Sequence, residues 1–177
     1  IEENKVDAAH PYAPFAAAAV TPQYGRLLAA DGKTELDYRL LLPRLAPGQR
    51  APVFFKVYGG PSSQDIQQGF VAPLDQYLVQ QGWAVFSLTN RGQEGRGVEF
   101  QRPAYRALGG VEVADQLAGL QWIKRQPFVL PDEVAVYGWS YGGYLAALAV
   151  LRRPDVFHAA VAGAPVTDWR LYDTFYT

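Results

Sequence analysis

The sequence contains no cysteine and no methionine, and only two of its 177 residues are histidine. Without cysteine, the chain can form neither a disulfide nor a zinc site with thiolate ligands. Basic and acidic side chains nearly balance, with 16 Lys and Arg against 17 Asp and Glu, so no positive field is available to attract nucleic acid. No apolar run approaches the roughly 20 residues that a membrane-spanning helix needs, and we expect no membrane segment here.

The composition that remains is typical of a folded domain. Hydrophobic residues make up 49% of the chain and charged residues only 19%, which is enough apolar material for a buried core. The chain begins at Ile1 rather than at a methionine. We therefore expect that Ile1 is not the start of the gene product, and the lack of a visible leader gives no information about export.

Alternating strand and helix patterns predict an α/β fold with a mostly parallel sheet. Residues 24–42 form a predicted hairpin around the turn sequence Asp31-Gly32. Further strands are predicted at 53–58, 83–88, 133–137 and 159–164, and helices at 70–81, 111–125 and 142–151. Because these strands are apolar along their whole length, we expect helices to cover both faces of the sheet.

The sequence Gly-Trp-Ser-Tyr-Gly-Gly at 138–143 matches the pattern Gly-x-Ser-x-Gly. In this motif a strand turns sharply into a helix and raises a serine hydroxyl above the sheet. A predicted strand precedes the motif here, and a helix rich in small residues follows it. Ser140 would then be a nucleophile, and the Tyr141 amide would face a developing oxyanion at the start of the helix. The alternative is a serine in an ordinary strand-to-helix turn.

Tyr58 ends the predicted strand at 53–58 and is followed by Gly-Gly-Pro at 59–61. A fold with a nucleophile elbow takes its second oxyanion donor from the loop at this place. Tyr58 could supply its hydroxyl rather than a backbone amide. The alternative is a tyrosine that packs at the end of a strand.

Four segments in this order resemble the catalytic domain of the prolyl oligopeptidase family, and its dipeptidyl peptidase IV branch in particular: 56–61, 90–92, 138–144 and 164–169. Trp139 and Tyr141, on either side of the serine, point to that branch. The resemblance implies an α/β-hydrolase fold, of which this chain would hold the N-terminal part of the catalytic domain. Residues 1–22 would be a linker segment from a missing N-terminal β-propeller, and residues 23–177 a partial hydrolase domain.

The resemblance also implies an activity and a set of site residues. The protein would be a serine exopeptidase that releases N-terminal Xaa-Pro or Xaa-Ala dipeptides through an acyl-enzyme on Ser140, with the hydroxyl of Tyr58 as an oxyanion donor. The proline ring would lie against Tyr141, Val166, Trp169, Tyr172 and Tyr176. Without the resemblance, plain packing would be the favoured interpretation of the last three aromatic residues.

Further expectations concern what the protein would bind and where it would act. The resemblance implies peptide substrates with a free N-terminus, no metal or organic cofactor and no nucleic acid. It also implies a homodimer when the protein is intact, and a periplasmic or secreted location.

A serine triad requires an acid and a histidine, and in this fold both follow the nucleophile. His158 is the only histidine after Ser140, but it lies where a strand is predicted to begin, so we expect it to be structural. His10 belongs to the linker segment. Asp155 is expected in a turn, and Asp168 as a local cap. We therefore expect this chain alone to lack the triad acid and histidine.

Other interpretations stay open on the residues alone. The protein could belong to another branch of the superfamily, as an oligopeptidase, acylaminoacyl peptidase or esterase, or it could be an inactive hydrolase-like fragment. The glycine-rich stretch 92–97 lacks the spacing and the Lys-Ser/Thr pair of a phosphate loop. Nearby arginines could suggest an anion site, but we expect them to brace a solvated loop; they are Arg91, Arg96 and Arg102.

Overall fold

The computed structural model of the protein describes residues 8–174. Its strands are β1 (Gln23–Leu28), β2 (Glu35–Leu41), β3 (Ala51–Val57), β4 (Ala84–Leu88), β5 (Val129–Trp139) and β6 (Ala159–Gly163). Its helices are α1 (Ala13–Ala16), α2 (Pro73–Gln80), α3 (Val98–Gln101), α4 (Val111–Lys124) and α5 (Tyr141–Arg152), with 3-10 turns at Arg102–Ala104 and Trp169–Leu171. The short helices α1 and α3 are not predicted from the sequence, because four residues cannot display a helical period.

The six strands form one mixed sheet in the order β1-β2-β4-β3-β5-β6. β1 and β2 pair antiparallel, which confirms the predicted hairpin, and β2 also pairs antiparallel with β4. The pairs β4–β3, β3–β5 and β5–β6 are all parallel. The predicted α/β architecture with a mostly parallel sheet is therefore confirmed.

Helices cover both faces of this sheet, as predicted, and the alternation of side chains in β3 shows how. Phe55 belongs to the larger core cluster, together with Leu120 of α4 and Leu145 of α5. Its neighbour Phe54 packs on the opposite face against a smaller cluster that includes Val79 of α2. Each face of the sheet therefore buries its own apolar layer.

Two element boundaries differ from the predictions by three residues or more. The predicted helix at 70–81 begins only at Pro73, because proline lacks the backbone N–H that the first helical turn leaves unused and so fits its first position. β5 begins at Val129 rather than at 133, since Val129 already pairs with Ala51 before the register shifts. Pro131 and the charged residues after it hide this early part of the strand in the sequence pattern.

The parallel strands place the predicted functional residues Tyr58 and Ser140 at one edge of the sheet, together with Asn90. Tyr58 directly follows β3, Asn90 comes shortly after β4, and Ser140 directly follows β5. In open α/β sheets, ligands bind outside the carboxyl ends of the strands. This edge is therefore where a site should be looked for.

Candidate active site

Ser140 lies in a strained turn between β5 and α5. Its φ of 58° and ψ of −120° place a residue with a side chain in a region that mostly glycine occupies. The Ser140 N–H donates to the Gly163 carbonyl oxygen at 2.9 Å, and the Ser140 carbonyl oxygen accepts from the Tyr144 N–H at 3.1 Å. Both backbone groups of the serine are thus held, one by β6 and one by the helix.

The three glycines around Ser140 are required by close backbone contacts, as the sequence predicts. A Cβ on Gly138 would lie 2.0 Å from the Gly142 carbonyl oxygen. A Cβ on Gly143 would lie 2.4 Å from the Gly163 carbonyl oxygen. These contacts are with backbone atoms, which cannot rotate away as a side chain can. The turn after β5 therefore has the geometry of a nucleophile elbow.

Gly142 brings the elbow against the end of β3. A Cβ on this glycine would lie 2.2 Å from the Val57 carbonyl oxygen and 2.9 Å from the Tyr58 Cα. The rings of Tyr58 and Tyr141 lie 6.2 Å apart between centroids. The structure thus brings together Ser140, Tyr58 and Tyr141, the three residues that the sequence predicts as catalytic.

The backbone of Tyr58 is not available as an oxyanion donor. Its N–H donates to Asp65 Oδ2 at 3.2 Å, and the Gly59 N–H donates to the same oxygen at 3.0 Å. Of the two donors that Tyr58 carries, the backbone N–H is therefore already used by Asp65. Burial raises the pKa of the Asp65 carboxyl, against the opposing effects of the Gln93 hydrogen bond, these two amides and nearby Lys56.

The Tyr141 side chain is buried, and its hydroxyl donates to Glu112 Oε1 at 2.5 Å. Glu112 is itself fully buried and also accepts from the Gly109 N–H at 3.2 Å. The Tyr141 amide lies in the first turn of α5, whose N–H groups point out of the helix N-terminus. The partial positive charge there favours an anion.

Three of the aromatic residues predicted to line a proline pocket form one cluster among the described residues: Tyr141, Trp169 and Tyr172. The Trp169 ring is partly buried and lies 5.4 Å from Tyr141 and 5.7 Å from Tyr172, between centroids. Val166 is half-buried, and Tyr172 is 43% exposed. Tyr176 lies outside the described residues. An aromatic cluster therefore stands beside the elbow, next to Tyr141.

Neither histidine of the sequence is hydrogen-bonded to Ser140 within residues 8–174. His158 Nδ1 accepts from the Val134 N–H at 3.4 Å. Val134 precedes Ser140 by six residues of the same extended strand, which is roughly 20 Å. His10 is exposed, and its Nδ1 accepts from the Tyr12 N–H at 3.1 Å.

Two of the acidic residues after Ser140, Asp155 and Asp168, have the local roles that the sequence predicts. Asp168 caps the 3-10 turn at Trp169–Leu171 by accepting from the Arg170 N–H at 3.0 Å, so its prediction as a cap is confirmed. Asp155 lies in a turn and pairs with Arg153 at 2.7 Å.

The arginines of the 90–102 region are paired with acids rather than collected around an open anion site. Arg91 Nη2 lies 2.7 Å from Asp115 Oδ1, and Arg102 pairs with Glu99 at 2.9 Å. Arg96 donates to the Glu35 carbonyl oxygen. These contacts agree with the expectation that the arginines brace a loop.

In the described part of the chain, no cluster of three or more His, Asp or Glu side chains is placed to hold a metal ion. The helices within 8–174 are all too short or too polar to cross a bilayer.

Comparison with known proteins decides the family. The sequence profile described as the prolyl oligopeptidase family matches residues 72–177, which is more than half of the chain. The chain belongs to the prolyl oligopeptidase family. The fold and the elbow at Ser140 can therefore be compared with its members.

Similar members of the family include peptidases of several organisms. The chain is 40% identical to human dipeptidyl peptidase 8 over 139 residues, which cover 75% of this chain and 15% of that protein. It is 34% identical to mouse prolyl endopeptidase FAP, over 83% of this chain and 20% of the relative. The chain thus spans a fifth or less of the length of these relatives.

Solved structures show the same fold. A candidate dipeptidyl aminopeptidase IV from Bacteroides ovatus superposes with a TM-score of 0.87 at 36% identity, over 93% of this chain and 24% of that one. Dipeptidyl peptidase 4 from Porphyromonas gingivalis superposes with a TM-score of 0.84 at 31% identity, over 89% of this chain and 22% of that one. The fold of the described residues is therefore that of an α/β-hydrolase domain of the dipeptidyl peptidase type.

Sequence reasoning missed two carboxylates of this site, Asp65 and Glu112. Asp65 lies seven residues after Tyr58 in a polar loop, and Glu112 comes 29 residues before Tyr141. No motif links either acid to its partner. A buried acid at the start of a predicted helix, such as Glu112, cannot be distinguished in the sequence from a solvated acid that interacts favourably with the helix dipole.

Proposed function

We propose that the protein carrying this chain is a serine exopeptidase that releases N-terminal Xaa-Pro or Xaa-Ala dipeptides. Ser140 Oγ attacks the carbonyl carbon of the second substrate residue and gives up its proton to a general base. The C–N bond breaks, the leaving amine takes a proton, and water then hydrolyses the ester on Ser140. The observation that carries this proposal is the strained elbow that holds Ser140 beside Tyr58 and Tyr141.

Two donors would stabilise the oxyanion that forms during the attack. They are the Tyr141 amide, at the N-terminus of α5, and the Tyr58 hydroxyl. Donors that are fixed before the reaction stabilise the developing charge without having to reorganise, and removing one such donor typically lowers kcat by about 10²–10³-fold. The hydrogen bonds from the Tyr58 and Gly59 amides to Asp65 support the hydroxyl as the donor at Tyr58.

The aromatic cluster beside the elbow supports a preference for proline or alanine at the second position. Tyr141, Trp169 and Tyr172 offer rigid apolar walls, and the Trp169 ring contacts the other two. A proline residue has a compact apolar ring and no N–H to satisfy, so such walls suit it. Val166 and Tyr176 are proposed as further walls on the family resemblance.

The general base and its acid are proposed to lie outside this chain. A serine hydroxyl needs a base to become an effective nucleophile. Within residues 8–174, the two histidines contact other groups, and His158 is held at Val134, near the middle of β5 and six residues before Ser140. The lengths of the relatives leave ample sequence for a triad that completes this edge of the sheet.

The proposal is tested on the full-length protein with Gly-Pro-p-nitroanilide and its N-acetylated form. We expect turnover of the free substrate only, and labelling of Ser140 by a fluorophosphonate probe that Ser140→Ala abolishes. The mouse relative named prolyl endopeptidase favours a second candidate, cleavage after an internal proline. Comparable turnover of the acetylated substrate would replace the exopeptidase proposal by that one, whereas an unlabelled, folded protein would indicate an inactive hydrolase-like module.

The homodimer and the periplasmic or secreted location stay predictions from the family resemblance. The mass of the full-length protein in solution by light scattering checks the first, and fractionation of the producing cells checks the second.

A further inference from the structure

The backbone around Tyr58 is held from two sides by side chains. Asp65 Oδ2 accepts from the Tyr58 N–H at 3.2 Å and from the Gly59 N–H at 3.0 Å. The Gly59 carbonyl oxygen accepts from Asn90 Nδ2 at 3.0 Å. The peptide groups before and after Tyr58, and the one after Gly59, are therefore fixed.

Those side chains are in turn fixed by amides of the neighbouring elements. Gln93 Nε2 donates to Asp65 Oδ1 at 2.7 Å, and Gln93 Oε1 accepts from the Asn90 N–H at 3.1 Å. Gln116 Nε2, on α4, donates to Asn90 Oδ1 at 2.7 Å. The network thus connects the loop after β3 to the loop after β4 and to α4. These hydrogen bonds restrain Asp65 and Asn90, although the buried Gln116 Oε1 has no hydrogen-bond partner within residues 8–174.

Gly59 is packed closely against side chains of the neighbouring elements. Gly59 has a φ of +69°, and a Cβ there would lie 2.6 Å from Asn90 Oδ1 and 2.5 Å from a methyl carbon of Leu145. Leu145 belongs to α5, the helix that begins at the elbow. The loop is therefore packed against the same helix that presents Ser140.

We propose that Asp65 is a positioning residue for oxyanion stabilisation. By fixing the backbone on both sides of Tyr58, Asp65 sets where the Tyr58 hydroxyl lies relative to Ser140. This inference rests on the proposed function, in which that hydroxyl donates to the oxyanion. The hydrogen bonds of Asp65 run to backbone amides and to Gln93, so its effect on the reaction passes through Tyr58.

The geometry of the hydrogen bonds selects Asp65→Asn as the test variant. Asparagine keeps the size of the side chain and an oxygen for the Tyr58 and Gly59 amides. Its NH₂ group, however, would meet the NH₂ group of Gln93, and two donors cannot bond to each other. The loop should then shift, and a displacement of about 1 Å in a catalytic group is enough to cost up to about 10²-fold in rate.

The decisive measurement is a double-mutant cycle in the full-length enzyme with Gly-Pro-p-nitroanilide. The four proteins are wild type, Asp65→Asn, Tyr58→Phe and the double variant. We expect Asp65→Asn to lower kcat by about 10-fold and to leave KM within about twofold, because the oxyanion exists only after attack. In the Tyr58→Phe background, the same substitution should change kcat by less than about twofold, because the group that it positions is gone.

A matched control separates positioning from a general loss of stability. Asp115 also accepts from two backbone N–H groups, those of Ala30 at 3.1 Å and Arg91 at 3.0 Å, but neither belongs to the Tyr58 loop. We expect Asp115→Asn to lower the melting temperature without a selective loss of kcat. The combined variant Asp65→Asn/Gln93→Glu restores a donor opposite an acceptor, so it should recover both the melting temperature and kcat if Asp65→Asn alone folds poorly.

Each outcome decides the inference. A kcat loss for Asp65→Asn that is equally large with and without the Tyr58 hydroxyl would overturn it. An Asp65→Asn/Gln93→Glu protein that regains the wild-type melting temperature but keeps a low kcat would overturn it too. If Tyr58→Phe impairs kcat and Asp65→Asn does not, the inference fails while the proposed function stands. If wild type shows neither turnover nor labelling of Ser140, the proposed function itself has failed.

Discussion

The elbow at Ser140 and the loop that carries Tyr58 pack against each other, yet the fold fixes them by different means. The elbow at Ser140 is held by backbone packed on backbone, through glycines at 138, 142 and 143. The loop at Tyr58 is held by side-chain hydrogen bonds, chiefly those of Asp65 and Asn90. Backbone contacts leave no room for adjustment, whereas a hydrogen bond can be exchanged for another. The elbow should therefore be intolerant of substitution, and the loop should be tunable.

The strongest test of this contrast is Gly142→Ala. The added Cβ would lie 2.2 Å from the Val57 carbonyl oxygen, so α5 and β3 must move apart and carry Ser140 away from Tyr58. Overpacking of this kind costs about 1–3 kcal/mol of stability, and a misplaced nucleophile should slow the reaction by about 10²-fold or more. Thermal unfolding and the rate of fluorophosphonate labelling of the full-length protein measure the two effects.

Gly69→Ala is the control for this substitution. Gly69 is exposed, and a Cβ there would meet no atom within 4 Å. Labelling and melting temperature should match those of wild type. If Gly142→Ala were also labelled at the wild-type rate, the claim that backbone contacts alone fix the elbow would be wrong.

A smaller effect is expected from Glu112→Gln, which alters a side-chain bond at the elbow itself. The amide oxygen can still accept from the Tyr141 hydroxyl, but its NH₂ group would replace Oε2, a buried atom that has no hydrogen-bond partner within residues 8–174. An unsatisfied buried donor costs about 1–3 kcal/mol. Because glycine contacts hold the start of α5, kcat should stay within about threefold while the melting temperature falls.

Glu112→Ala provides the comparison for this variant, since it also removes the acceptor for the Tyr141 hydroxyl. We expect a larger fall in melting temperature and a rise in KM, because the buried Tyr141 ring supports Trp169, which is proposed to line the proline pocket. A fall in kcat as large as that for Gly142→Ala would show that the side-chain bond to Glu112, rather than the backbone contacts, positions the elbow.

The same contrast explains how much of the site the sequence could predict. The elbow was predictable because its glycines, Ser140 and the flanking strand and helix lie within one short segment whose residue types the geometry dictates. The strands were predictable from apolar runs, although the sheet order β1-β2-β4-β3-β5-β6 was not, because periodicity says nothing about which strands are neighbours. Tyr58 could be proposed from its place after a strand.

The hydrogen-bond network was not predictable for a related reason. Asn90 lies 31 residues from Gly59, and Gln116 lies 26 residues from Asn90. These side chains meet only because β3 and β4 are adjacent and α4 packs near them. In the sequence, Asn90 and Gln93 belong to a stretch that looks like a solvated loop, and nothing in their residue types marks them as buried.

The smallest expected effect concerns the middle of β5, where His158 accepts a hydrogen bond from the Val134 N–H at 3.4 Å. Glutamine can accept the same bond, and His158 is exposed, so His158→Gln should leave kcat, KM and the melting temperature close to those of wild type. The pH profile of kcat/KM is the decisive measurement, because the ionisation of a general base appears in it. An unchanged profile places the base elsewhere, whereas loss of the acidic limb would make His158 the base and would require β5 and β6 to be arranged differently around Ser140.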